Sequence, residues 1–141
     1  MSQSPEQPAE NQIFRLDVYL VPKAAIAVKA IAALRNVSVT EAVRCAISCY
    51  DHALTGEMIG QSFVAIGSQE HKVLRIPEIQ VDESDQNFTY LEVNINQQCE
   101  DVIQFAHNLT GLCVDDIVNK AIILYDAVVD EMQRGAKIAI L

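Results

Sequence analysis

Apolar and polar residues alternate strictly at two places in this chain. In Phe14-Arg15-Leu16-Asp17-Val18-Tyr19-Leu20, the residues Leu16, Val18 and Leu20 share one face; Leu91, Val93 and Ile95 do the same further on. A period of two predicts strands, each with one wet face. After each strand the period lengthens. Pro22 suits the first turn of a helix, and KAAIAVKAIAAL is rich in helix formers. Its apolar stripe reads Ala27, Ala30, Ile31, Leu34, and the later match is Val102, Phe105, Ala106, Leu109. That spacing assigns Phe105 to the core. Asn36 and Gly111 then stand at equivalent places, and both residue types tolerate the left-handed backbone that ends a helix. A second helix follows each time. Ser38-Val39-Thr40-Glu41 reads as a capping box, in which the Ser oxygen and the Glu carboxylate each take a free amide. Cys113-Val114-Asp115-Asp116 is a poorer cap, with charge that favours the helix dipole. The second helices run toward Gly60 and Gly135, and short apolar strands follow at 62–66 and 137–141.

The two patterns are copies of one unit. Sliding the chain by 75 positions aligns residues 15–66 with 90–141 without a gap, and ten positions become identical. Val43/Val118, Ala46/Ala121, Ile47/Ile122 and Tyr50/Tyr125 are among them, so most matches are apolar. Residues 1–12 are polar and read as a disordered tail; 13–66 form the first repeat and 88–141 the second. Between them, 67–87 hold one more strand at 71–76, turning back at Gly67-Ser68, and an acidic linker from Pro77 to Gln86. One unit cannot bury its own apolar face, but two can, by pairing strands antiparallel and interlocking four helices. The expected fold is mainly α with a short β-ribbon, a single-chain pseudo-dimer with extra strands after each second helix. For the terminal KIAIL the expectation is pairing with SFVAI or HKVLRI in the same molecule, or across a symmetric dimer.

Composition narrows the function. Of 141 residues, 50% are apolar and 21% charged, which is globular. No apolar run spans a bilayer, and the first residues lack the basic start and apolar stretch of a signal peptide. The expectation is a cytoplasmic protein with no membrane partner. The net charge of −9 leaves no broad basic surface for generic polyanion binding. The imbalance is local: residues 1–66 hold five basic and six acidic residues, the remainder five and thirteen.

FRLDVYLVP followed by NVSVTEAVRCAISCYD, and YLEVNIN followed by GLCVDDIVNKAIILYD, resemble the ribbon-helix-helix family of DNA-binding regulators. The resemblance covers some 40 residues of each copy. Such proteins are usually homodimers, so this chain looks like a fused version of one. The resemblance implies transcription regulation through a ribbon laid in the major groove. It also implies phosphates gripped by the amino end of the second helix. The reading face would be Arg15, Asp17 and Tyr19 with Glu92, Asn94 and Asn96. Phosphate contacts would come from Lys23, Ser38, Val39 and Thr40. Arg can read guanine and Asn adenine. Asp17 and Glu92 depart from this pattern, because two carboxylates near the ribbon centre repel phosphates. The equivalent phosphate contacts in the second copy would be Cys113, Val114 and Asp115, and there Asp115 and Asp116 do the same. DNA binding is therefore expected to be weak or dependent on assembly of a homo-oligomer. The competing expectation is an acidic protein–protein interaction module on the same scaffold: an adaptor, an antitoxin-like partner or a DNA mimic.

Other chemistry is thin. No phosphate-cradling Gly loop or nucleophile motif is present, so no enzyme and no cofactor are expected. Cys45, Cys49 and His52 fall on one side of a helix, but the equivalent residues are Lys120, Leu124 and Ala127; small core thiols are the expectation rather than a metal site. Asp82-Glu83-Ser84-Asp85 lacks the Gly and distal Glu of a calcium loop. Tyr50 and Tyr125, each one turn from an Ile, are expected between helices.

Overall fold

A computed structural model describes residues 12–79 and 87–141. The tail and the acidic run Asp82–Asp85 fall outside the described residues. Chain order is β1 (Ile13–Leu20), α1 (Pro22–Arg35), α2 (Val39–Met58), β2 (Phe63–Ile66), β3 (His71–Leu74), β4 (Thr89–Asn96), α3 (Gln97–Thr110), α4 (Val114–Gln133) and β5 (Lys137–Ile140). Helices account for roughly 55% of these residues, and two small antiparallel sheets complete a mixed α/β fold.

The first sheet is the ribbon β1–β4, and the second has the order β3-β2-β5. In the ribbon Asp17 faces Glu92; in the second sheet Val64 faces Ala139. Each is a pair of residues 75 positions apart, the offset of the repeat. Antiparallel pairing centred on equivalent residues is pairing about a local twofold. Of the partners open to KIAIL, the chain uses the equivalent strand of its own first repeat. The hairpin strand β3 covers the other side of β2 and comes from the segment between the repeats, which has no equivalent in either copy.

Helix boundaries have local causes. Pro22 sits at the start of α1, where a missing amide costs nothing. Asn36 ends α1 in the left-handed region at φ 57°, and Gly111 ends α3 at φ 76°. Ser38 Oγ accepts from the Glu41 amide at 3.0 Å. The other half of the expected capping box is different. The Glu41 carboxylate lies along the helix, 3.7 Å from Arg44 Nη1 and 3.7 Å from the Cys45 thiol, because those side chains stand one turn on.

Helices α2 and α4 form the centre, with Val43, Ala46, Ile47 and Tyr50 meeting Val118, Ala121, Ile122 and Tyr125, all buried. Burial pushes both tyrosine hydroxyls above their usual range. The inward stripe of the first helices differs from expectation. Ala24, Ala27, Val28 and Ile31 are buried in α1, and Cys99, Val102, Ile103 and Ala106 in α3. Phe105 is 40% exposed, Leu34 55% and Leu109 47%, so they are not core. The physical reason is that α1 is apolar nearly all round, so two stripes satisfy one helical period. Packing against the α2–α4 centre picks the one turned toward it.

Candidate functional site

The ribbon buries Val18, Leu20, Val93 and Ile95 against the helices. Alternation then forces Arg15, Asp17, Tyr19, Tyr90, Glu92 and Asn94 onto the opposite, exposed face. Asn96, the sixth residue expected on that face, is half-buried and has a structural task. It ends β4 opposite Ile13, and its Oδ1 accepts from the Cys99 amide at 2.9 Å, capping α3. Tyr90 is the member the sequence reading missed. The signal was present, because Tyr90 stands 75 positions after Arg15 and extends the same alternation by one residue.

The exposed side chains form one polar network. Arg15 Nε lies 3.2 Å from Asp17 Oδ1, and Arg15 Nη2 lies 3.2 Å from Glu92 Oε1. The Tyr90 hydroxyl donates to Asp17 Oδ1 at 2.6 Å. Tyr19 and Tyr90 are cross-strand partners with ring centroids 5.6 Å apart. The Tyr90 hydroxyl first, and Arg15 after it, hold the Asp17 carboxyl below its ordinary range. One cation thus serves two carboxylates. This face accepts and donates hydrogen bonds at many points but carries no net positive charge.

Each end of the ribbon is held by the start of a second helix from the other repeat. Asn119, fully buried, accepts from the Val21 amide at 2.8 Å and donates to the Tyr19 carbonyl at 3.0 Å and the Asp115 carbonyl at 2.8 Å. Asp115 Oδ1 accepts from the Tyr19 amide at 3.3 Å. At the other end, Arg44 Nε donates to the Asn94 carbonyl at 3.1 Å. Arg44 and Asn119 are equivalent, and so are Asn94 and Tyr19. The repeats therefore make the same contact with different chemistry. Asn119 was visible only as a polar residue beside Lys120 inside IVNKAII, a weak signal.

The expected phosphate contacts sit beside this frame. Ser38, Val39 and Thr40 form the amino end of α2, with Ser38 exposed and the other two half-buried. Lys23 is exposed in the first turn of α1. At the equivalent end of α4, Asp115 is partly buried, and that burial raises its carboxyl above the ordinary range.

The thiols are scattered in environment. Cys45 and Cys49 are half-buried, Cys99 is buried and Cys113 exposed. Burial, with Cys45 close by, pushes the Cys49 thiol up to about 12. Among the described residues no three of His, Cys, Asp or Glu are arranged to hold a metal. No described helix is long and apolar enough to cross a membrane. Comparison with protein-family models, with curated proteins and with solved structures gives no match.

Proposed function

We propose that this protein is a DNA-binding transcription regulator that works as a single-chain ribbon-helix-helix pseudo-dimer in the cytoplasm. One observation carries the reading. A two-stranded antiparallel ribbon offers six exposed polar or aromatic side chains, and the amino ends of two helices flank it. A ribbon of this kind fits the major groove, and outward side chains meet base edges there. Arg15 and Asn94 are cross-strand partners and supply the two side-chain types that read purines. Asp17 and Glu92 hold Arg15 in place until a guanine edge replaces them; a carboxylate then accepts from a cytosine amino group. Ser38–Thr40 and Lys23 take phosphates on the first-repeat side. Fusion of the repeats has freed the half-ribbons to differ, so the target need not be palindromic.

A second reading is favoured by the charge. Arg15 is already paired with two carboxylates, and the chain carries −9. An acidic interaction module that binds a protein partner instead of DNA would look like this.

The test is anisotropy of labelled duplex DNA, first random and then enriched from a randomised pool, at about 50 and about 200 mM salt. The expected result is weak binding to random duplex that falls steeply with salt, and an enriched, asymmetric sequence. Arg15→Ala should abolish the preference, and Lys23→Ala should weaken all sequences alike. Flat titrations at the lower salt together with no enrichment would overturn the reading and leave the protein-partner alternative.

A further inference from the structure

The second sheet is asymmetric in a way the repeat is not. Both faces of the hydrogen-bonding frame of β2 are paired, one with β3 and one with β5. β5 is the equivalent of β2 and, among the described residues, has a partner on one side only. The groups on its open side can be named. Ser62 and Leu141 exchange both backbone bonds, at 2.8 and 2.9 Å. Bonded pairs alternate along an antiparallel ladder, so Lys137 and Ala139 also point their amides at β2. The amides and carbonyls of Ile138 and Ile140 therefore face outward.

We propose that this edge is an interface, and that its occupant is β5 of a second copy of the chain. The strand already pairs antiparallel with its own repeat equivalent about a local twofold, so its geometry suits a copy of itself. A twofold through Ala139 pairs Ile138 with the partner's Ile140 and Ile140 with the partner's Ile138. All four outward amides then find carbonyls. The two Ala139 side chains meet at a non-hydrogen-bonded position, the closer kind, where a methyl group fits. The result is a continuous six-stranded sheet, β3-β2-β5 joined to its twofold copy.

The surroundings agree. Edge strands that remain single are commonly protected by charge. β3 has this protection, with Glu70, His71, Lys72 and Arg75 in or beside it. β5 has Lys137 at its start and then only Ile, Ala, Ile and Leu. Ile140 packs at the end of α2, its Cγ2 3.7 Å from where a Cβ on Gly56 would lie. The residues just beyond, Met58 and Ile59, are exposed, and so is Leu141. An open edge rimmed with apolar side chains favours association.

Sedimentation of the full chain without DNA tests this, so its outcome is separate from the DNA reading. The expected mass is about twice 15.6 kDa at about 100 μM protein. Ala139→Glu alone and Ala139→Lys alone place like charges on the axis and should each give monomer with unchanged helical circular dichroism. Mixing the two variants should restore the dimer. Hydrogen exchange of the unmodified chain gives a readout that needs no variant: the Ile138 and Ile140 amides should become protected as concentration rises. A monomer throughout, or a dimer indifferent to both charges, would overturn the proposal. Protection of those amides in a monomer would also overturn it, since another segment of the same chain would then cover the edge.

Discussion

The two repeats meet the ribbon with the same contact and unequal means. The second repeat uses Asn119, fully buried, which makes three hydrogen bonds and fixes the end of β1. The first uses Arg44, part-exposed, which makes one bond to the end of β4. The second repeat is also the more acidic, with eight acidic and three basic residues against four and five in the first, which retains Ser38–Thr40 and Lys23. The difference suggests a division of labour. The second repeat is the firmer brace, and the first keeps the groups that the proposed DNA reading sets against phosphate. In a homodimer the two ends would have to be alike; one chain lets them separate.

The largest expected effect tests whether the inward stripes are equivalent. Ile103→Ala should cost about 3 kcal/mol in urea unfolding, because a fully buried side chain leaves a cavity. Phe105→Ala should cost less than about 0.5 kcal/mol, as a surface change does. Equal costs would break the assignment of the inner face.

The brace comes next. Asn119→Leu strands the Val21 amide and the Tyr19 carbonyl, and should cost roughly 2–4 kcal/mol. Arg44→Ala gives up one hydrogen bond and should cost about 1 kcal/mol. Comparable losses would show that the ends are held equally.

A smaller effect concerns DNA. If the acidic end of α4 is what weakens binding, Asp116→Lys should raise affinity a few-fold at low salt and steepen the salt dependence by about one unit of slope. No change in anisotropy would show that the second repeat stays away from the phosphates.

The smallest effect is in acid, where the repeats should titrate in opposite directions. The Asp17 carboxyl is held low in the folded state, so its contribution is present above the ordinary carboxylate range and is lost as pH falls through its lowered value. The Asp115 carboxyl is raised, so it opposes folding once pH climbs through the raised value and relaxes on acidification. Tyr90→Phe should move the Asp17 titration upward in carboxyl NMR, toward the ordinary range. Asp115→Asn should flatten the weakly acidic limb of the stability profile. A Tyr90→Phe variant with unchanged Asp17 titration would remove the hydroxyl from the network.

Much of the fold was legible because it rests on short-range rules. Strict alternation fixed which side of β1 and β4 faces water; the ribbon pairing implied by the resemblance would bring Asp17 and Glu92 together near its centre, and the two residues do face each other. Asn36, Gly111 and Pro22 mark helix ends through backbone sterics, which neighbours seldom override. Of the six ribbon residues expected to point outward, five are exposed on the outer side of the ribbon; the sixth, Asn96, is half-buried and caps a helix. An Asn at a strand end followed by a helix has two uses for one oxygen, and the nearer amides took it.

What the sequence by itself determined is periodicity, local backbone and charge: four helices, the alternating strands and an acidic second repeat. Those depend on residues within a few positions of one another. Only the tertiary structure decided which of two apolar stripes α1 turns inward, since KAAIAVKAIAAL satisfies both. It also decided that KIAIL joins SFVAI, and that Asn119 and Arg44 reach across to the other repeat's ribbon. Each of these is a competition among partners far apart in the chain, settled by which pairing buries the most apolar surface while leaving no buried backbone group unbonded.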